Sequence, residues 1–127
     1  MSSRILAIFV IPVTLLLTSC PPAVNVSIYD NTPDSITVFW LRGQTVMIPS
    51  HSASTLSFPP VLTSFAVVRR GMRRDYAIRY PGKEFMYPSY RFGLQIQPSA
   101  EIYAVQGTIP ARAFPPQPSG YPLVPHA

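Results

Sequence analysis

The 127-residue sequence contains one cysteine, two histidines, six glycines and five acidic side chains. A single cysteine excludes an internal disulfide framework and a CxxC metal site. The histidines and carboxylates are scattered, so no group has the clustering of a metal centre. The glycines form no phosphate-binding loop. We therefore expect no metal and no cofactor.

The N-terminal region contains the longest apolar run of the chain. Arg4 supplies a short positive region, and Ile5 to Leu17 follows without a charge. A run of about thirteen residues is within the range of ~7–15 for a secretory signal. It is shorter than the ~20 residues that a transmembrane helix needs, and Pro12 would weaken such a helix. The run predicts a signal peptide over residues 1–19.

The residues at the end of this run resemble the lipobox of bacterial lipoproteins. Leu17-Thr18-Ser19-Cys20 has an aliphatic residue, two small residues and then a cysteine. The resemblance implies that Cys20 receives a diacylglyceryl group and becomes the N-terminus after cleavage. Because two or more acyl chains give stable anchoring, the mature protein would be tethered without spanning the bilayer. The alternative is an ordinary secretory peptide in which Cys20 is incidental.

The residue after the cysteine bears on the compartment. In Gram-negative lipoproteins an aspartate there commonly signals retention in the inner membrane, whereas this chain has Pro21. The resemblance thus implies an outer-membrane lipoprotein with its domain in the periplasm. Residues 20–22 would be the lipid anchor and a short tether. The resemblance covers residues 1–20, and no family is identified for the mature domain.

The chain after the anchor alternates apolar and polar residues with period two. Such runs, bounded by turn residues, are typical of half-buried strands. The clearest is Tyr90 to Gln97, and Ile36 to Leu41 is apolar on both faces, as in a central strand. No helical stripe is present after Cys20. Further strands are predicted at Val24–Ile28, Thr45–Ile48, Thr55–Phe58, Thr63–Val68, Asp75–Tyr80 and Ile102–Gln106.

Short strands at roughly 8–12-residue spacing predict an all-β fold. We expect a small antiparallel β-sandwich, immunoglobulin-like or transthyretin-like, or a partly open barrel, over residues 23–106. Residues 107–127 contain six prolines and one charge, Arg112. Because proline lacks the ladder donor and favours extended conformations, we predict a proline-rich flexible tail. It is either a disordered terminus or a docking segment for another envelope component.

The densest charge lies around a predicted hairpin turn. Guanidinium groups bind phosphate and carboxylate bidentately, so a cluster here is a candidate site for lipopolysaccharide, peptidoglycan or phospholipid. Nucleic acid is not an expected partner in the cell envelope despite the positive charge. The alternative is a solvated loop whose arginines keep the hairpin soluble. The candidate anion-binding residues are Arg69, Arg70, Arg73, Arg74, Arg79 and Lys83.

Six aromatic residues lie between positions 76 and 92. Rings that interleave with arginine can form a platform for sugars or peptides. Phe85 and Tyr87 lie in a predicted loop over residues 82–89 and are expected to be an exposed pair. The other four fall on predicted inward faces and are expected in the core: Tyr76, Tyr80, Tyr90 and Phe92.

The sequence gives little indication of catalysis. His51 lies between Ser50 and Ser52, but adjacent residues of an extended segment point apart, and no acid is fixed nearby. Asp30 and Asp34 flank a predicted turn, where such side chains usually bond local backbone. Nothing selects a carboxylate pair among the five acidic residues.

These observations favour a non-catalytic lipoprotein of the outer membrane. Its β domain would act as a structural, assembly or interaction component with an envelope protein as partner, and Cys20 would hold it to the membrane. The alternative is a module that binds an anionic envelope glycan or lipid through the Arg69–Arg74 cluster.

Overall fold

The computed structural model describes residues 23–62, 64–82, 85, 91–107 and 109–126. The predicted signal peptide, Cys20 and the predicted tether lie outside the described residues. Eight strands build two four-stranded sheets, in the orders β4-β1-β7-β8 and β3-β2-β5-β6. The sheets pack as a sandwich and do not close into a barrel, which confirms the predicted all-β sandwich. The strands are β1 (Val24–Asp30), β2 (Ile36–Leu41), β3 (Gln44–Ile48), β4 (Ala53–Phe58), β5 (Ser64–Arg69), β6 (Met72–Ala77), β7 (Arg91–Ile96) and β8 (Ile102–Val105).

One strand pair departs from the antiparallel arrangement that we predicted. β1 and β7 run parallel, with Val26 opposite Phe92, while the other five pairs are antiparallel. A parallel pair needs a long crossover, and here the crossover contains β4 and all four strands of the second sheet. Alternation of side chains is the same for either direction, so the sequence pattern does not reveal it.

The inward faces of the two sheets share one apolar core. Val26, Ile28 and Leu94 of the first sheet are completely buried, as is Val38 of the second. β2 lies between β3 and β5, which confirms the central position expected from its two apolar faces. A chain of ring contacts crosses the core, with centroid separations of 6.2, 6.1 and 5.4 Å for the successive pairs of Trp40, Phe58, Phe65 and Tyr76.

The β5–β6 hairpin differs from the predicted one. Arg70 and Gly71 have φ of 53° and 74°, the positive values of a two-residue type I′ turn, and Arg69 pairs with Met72. β6 therefore covers Met72–Ala77, whereas we predicted a strand over Asp75–Tyr80. The tight turn leaves no loop, so residues 73 and 74 belong to the strand.

The sandwich has two ends, which we name by the course of β1. At the proximal end β1 begins, and the β2–β3 turn and the β4–β5 loop lie there. The Trp40–Phe58 contact and a 2.7 Å hydrogen bond from the Tyr80 hydroxyl to the Pro59 carbonyl join the sheets at this end. At the distal end β1 stops, and the Arg69 guanidinium reaches the Pro98 carbonyl at 3.3 Å.

Residues 109–126, here called the C-terminal segment, lie along the sandwich. Phe114 stacks on Tyr103 of β8, with centroids 4.2 Å apart. Leu123, which is buried, exchanges both backbone hydrogen bonds with Ile102 of β8 at 2.8 and 3.0 Å. The His126 N–H then donates to a carbonyl of β6 at 2.8 Å. The segment thus connects the edge strands of the two sheets, which differs from the flexible tail that its prolines predict.

Glutamine side chains supply hydrogen bonds that the prolines of this segment cannot make, because proline has no backbone N–H. The Gln117 amide accepts from the Ala104 N–H at 2.8 Å and donates to the Ala104 carbonyl at 3.0 Å. The Gln95 amide in turn accepts from the Ala111 N–H at 2.9 Å. These amides take the place of a neighbouring strand, so the segment can pack without a continuous ladder.

Among the described residues, no helix has the length and apolar character that crossing a bilayer requires.

Candidate functional site

The predicted arginine cluster is divided between two faces and a turn. Arg69, at the end of β5, points inward at the distal end, and its side chain is 18% exposed. Its Nε donates to Asp34 at 3.2 Å. Because this ion pair is partly buried, it offsets the charge of Arg69 and holds the β1–β2 loop against β5.

Arg73 lies on the outer face of the second sheet. Its Nε and a terminal nitrogen donate to one oxygen of Asp75 at 3.3 and 3.2 Å, and its guanidinium lies 5.7 Å from the centre of the Phe39 ring. Both partners of this ion pair are more than half exposed, so it contributes at most about 1 kcal/mol. Arg73 is therefore engaged away from the other three arginines.

Arg70 and Arg74 remain together at the distal end. With Arg69, Met72 and Pro98 they line a depression of 330 Å³. Neither Arg70 nor Arg74 has an ion pair within the part of the chain that the structure describes. Two guanidiniums at one rim can bind an anion bidentately. The structure thus reduces the predicted cluster to these two side chains, with the paired Arg69 behind them.

The last two predicted cationic residues do not join this depression. Arg79 follows β6 toward the proximal end, where its carbonyl accepts a hydrogen bond from the Tyr121 hydroxyl and its side chain lies against Gly120. Lys83 lies outside the described residues.

The predicted exposed aromatic pair is wrong for Phe85. This residue is half-buried and packs against the core, and its N–H donates to the Gly82 carbonyl at 3.0 Å. Tyr87 lies outside the described residues, as does Tyr90. Tyr76 and Phe92 are buried as predicted, and Tyr80 packs against the core.

A buried carboxylate lies at the distal end, on the last residue of β1. Asp30 is completely buried. Its Oδ1 accepts from the Thr32 N–H at 3.0 Å and the Thr32 hydroxyl at 2.6 Å, which agrees with the local backbone bonding predicted for this turn. Its Oδ2 has no partner among the described residues. Burial raises the pKa of Asp30, against the opposing effects of the Thr32 bonds and of the charges of Arg69 and His51.

The Ser50–Ser52 loop packs on this aspartate through its backbone. The His51 N–H donates to the Asp30 carbonyl at 2.8 Å, with His51 at a φ of 56°. The Ser50 hydroxyl donates to the Thr32 carbonyl, and the Ser52 hydroxyl donates to the Ser50 carbonyl at 3.4 Å. These hydroxyls hold the loop in place, and neither donates to His51.

A second depression, of 410 Å³, lies on the outer face of the second sheet at its proximal end. Phe39, Trp40, Leu41 and Leu62 supply its apolar lining, and the Arg73–Asp75 pair lies on its rim. Sequence reasoning missed this site. The available signal was the run Ile36–Leu41, which is apolar on both faces although the outward side chains have no second sheet to cover them.

The described residues contain no group of three or more histidine, cysteine or acidic side chains that could hold a metal ion.

Comparisons with known proteins identify neither a family nor a function for this chain. No family model matches the chain, and no curated protein matches it. A solved structure is similar in part: the NMR structure of a protein from Eubacterium rectale, with 20% sequence identity, covers 68% of this chain and 92% of its own at a TM-score of 0.37. Function is therefore inferred from the chain's own residues and geometry.

Proposed function

We propose that the protein is a bacterial outer-membrane lipoprotein, anchored through acylated Cys20, whose β-sandwich is a non-catalytic structural or interaction component in the periplasm. The observation that carries this proposal is the position of the lipobox-like residues Leu17–Cys20. They precede the domain by residues 21–23 alone, since β1 begins at Val24. A signal, an acylation site and a folded domain follow one another without a linker long enough to contain another element.

The outer face of the second sheet supports a role in binding a partner. The C-terminal segment covers part of the first sheet's outer face, where Gln95 and Val105 are buried, whereas no described segment covers the depression beside Phe39. Its lining combines aromatic side chains with arginine, two residue types that are enriched in protein interfaces. The hydroxyls of Ser50 and Ser52 bond backbone carbonyls, which favours a structural role for that loop.

The anchor is tested by a pair of substitutions. Cys20→Ser removes the acceptor of the diacylglyceryl group, and Ser19→Ala keeps a small residue before the cleavage site. We expect the first variant to lose incorporation of labelled palmitate and to leave the membrane fraction, and the second to behave as the wild type. Unchanged processing and membrane retention of the Cys20→Ser variant would overturn the proposal.

The interaction role is tested by photo-crosslinking in cells. A photoreactive phenylalanine at Ser64 lies on the rim of the depression, and one at Ser57 lies on the outer face of the first sheet; both serines are exposed. We expect a discrete protein adduct from position 64 and none from position 57. No adduct from either position, at normal protein level, would contradict a protein partner on this face.

A second candidate function is favoured by the depression beside Arg70 and Arg74. It lies at the distal end, separated from the anchor by the seven residues of β1, or roughly 20 Å of strand. The anionic ligand that fits this position is the peptidoglycan rather than the headgroups around Cys20. Arg70→Gln combined with Arg74→Gln should abolish salt-sensitive retention on purified peptidoglycan, while Arg73→Gln should retain it. Equal retention of the wild type, the double variant and the Arg73→Gln variant would exclude this function.

A further inference from the structure

The proximal end of the sandwich lies close to the membrane if Cys20 is acylated. Three residue steps join Cys20 to Ala23, so their Cα atoms are at most about 11 Å apart. Acyl chains hold Cys20 at the boundary of the hydrocarbon core, and the headgroup region of one leaflet is about 5–8 Å thick. The tether is too short to lift the start of β1 far beyond the headgroups. The side chains around it then determine how the domain meets the lipid.

Two apolar side chains project from this end. The Leu62 N–H donates to the Pro59 carbonyl at 3.0 Å, which closes a turn with Pro60 and Val61 at its tip. Val61 is 82% exposed and Leu41, the last residue of β2, is 43% exposed. Leu41 and Leu62 line the same depression, so the end of β2 and this turn are neighbours. Together they present an apolar tip on the side of the molecule where the anchor attaches.

The described charges beside the start of β1 and in the β2–β3 turn are positive. Arg42, beside Leu41, is exposed, and Arg91, which pairs with Asn25 one residue from the start of β1, is exposed too. Of the described acidic side chains, Asp30, Asp34 and Glu101 lie at the distal end, and Asp75 of β6 is paired with Arg73. An exposed apolar tip flanked by arginines complements a leaflet that contains anionic phospholipid.

We propose that the proximal end rests on the anionic phospholipid surface that holds Cys20. Val61 and Leu41 enter the headgroup region, and Arg42 and Arg91 contact lipid phosphates. This inference depends on the acylation of Cys20 in the proposed function. It fixes the orientation of the domain, because β1 then points away from the membrane and its distal end, with Arg70 and Arg74, faces the periplasm.

The experiment uses the full lipidated protein in purified proteoliposomes. Cys20 is the only cysteine of the chain and its sulfur is consumed by the thioether, so an introduced cysteine is labelled alone. The Val61→Cys and Met72→Cys variants each replace an exposed apolar residue, at the proximal and the distal end respectively. Both carry an environment-sensitive fluorophore in vesicles of phosphatidylethanolamine with phosphatidylglycerol, and a headgroup spin-labelled lipid serves as quencher.

We expect the label at position 61 to be quenched and shielded from water, and the label at position 72 to remain in water. Because the vesicles contain no other protein, quenching at position 61 can only come from lipid. Labels that are both unquenched on vesicles that still retain the protein would overturn the orientation and leave the anchor intact. Protein that fails to float with the vesicles would overturn the anchor and this inference together.

Charge variants provide a second test, which is read from the same label at position 61. Arg42→Gln and Arg91→Gln, placed in the labelled Val61→Cys protein, should each shift the equilibrium between bound and free orientations about fivefold. The shift should vanish in vesicles of phosphatidylcholine alone. Arg73→Gln, on the outer face of β6, is the matched control and should change nothing. Equal effects of the three substitutions would contradict a role for the proximal arginines.

Discussion

The two edges of the sandwich are protected from further strand pairing in different ways. On one edge, β8 and β6 are covered by the C-terminal segment, which supplies hydrogen bonds to Ile102, Ala104 and Asp75. On the other edge, no strand of the described residues lies beside β3 or β4. β3 is five residues long and β4 presents small polar side chains outward, and both features discourage pairing with another chain. The edge of β8 and β6, here called the closed edge, is protected by specific contacts with the C-terminal segment. The edge of β3 and β4, here called the open edge, is protected because it offers little for another chain to pair with.

The largest difference between the edges is expected at the buried contact of the closed edge. Leu123 is 4% exposed and Val124 is 60% exposed. Leu123→Ala should lower the free energy of unfolding by about 2–4 kcal/mol, through lost burial and the cavity left behind. Val124→Ala should change it by less than about 0.5 kcal/mol. Urea unfolding of the two variants measures both values, and equal effects would mean that the segment does not contribute to the folded core.

The Gln117 amide gives a smaller but more local effect. Gln117→Ala leaves the outward N–H and carbonyl of Ala104 without partners, which should cost about 1–3 kcal/mol. The Ala104 amide should then exchange with solvent faster, as hydrogen exchange followed by NMR can resolve. Gln44→Ala, at the start of β3 on the open edge, is the control and should leave the free energy of unfolding unchanged. Unaltered exchange at Ala104 would contradict the closure of β8 by this side chain.

Two glycines of positive φ allow the energetic cost of the backbone conformation to be measured separately from the cost of a close contact. Gly120 of the closed edge has a φ of 89°, and Gly43 of the β2–β3 turn has a φ of 75°. A Cβ at Gly120 would lie 2.4 Å from Cδ of Arg79, while one at Gly43 would meet nothing within 4 Å. Both alanine variants should lose about 1 kcal/mol from the left-handed conformation, and Gly120→Ala about 1 kcal/mol more from displacing Arg79. Thermal unfolding compares them, and equal losses would exclude the contact.

The smallest effect is expected on the open edge itself. Met47 of β3 is 66% exposed on the outer face, so Met47→Thr should change the free energy of unfolding by less than about 0.5 kcal/mol. The same unfolding measurement applies. A loss above about 1 kcal/mol, typical of a buried side chain, would show that part of the chain covers β3 and that both edges are covered.

Alternation of side chains predicted most of the sandwich because each strand has one buried face. The C-terminal segment escaped prediction for a related reason. Its contacts come from glutamine amides, from a Phe114–Tyr103 ring stack and from the Tyr121 hydroxyl, which bonds a carbonyl forty-two positions earlier. Such contacts have no period in the sequence. Burial raises the pKa of the Tyr121 hydroxyl, and the ring is partly buried against the core.

The candidate site was predictable in composition but not in arrangement. Counting charges located the arginines, but the partner of Arg69 is Asp34 in another loop, and nothing in the local sequence indicates that pairing. The separation of Arg73 from Arg74 follows from the turn. Once Arg70 and Gly71 take positive φ, adjacent residues of β6 must point to opposite faces.

The prolines around Gln117 have a consequence for association between molecules. A strand laid along β8 would offer its own unpaired donors and acceptors to the next chain, and sheets could grow into fibres. The segment instead satisfies Ala104 through a side chain, and beyond it Pro115, Pro116 and Pro118 have no N–H to offer. It acts as a terminator of sheet growth, because an incoming strand finds no N–H donor at these three prolines.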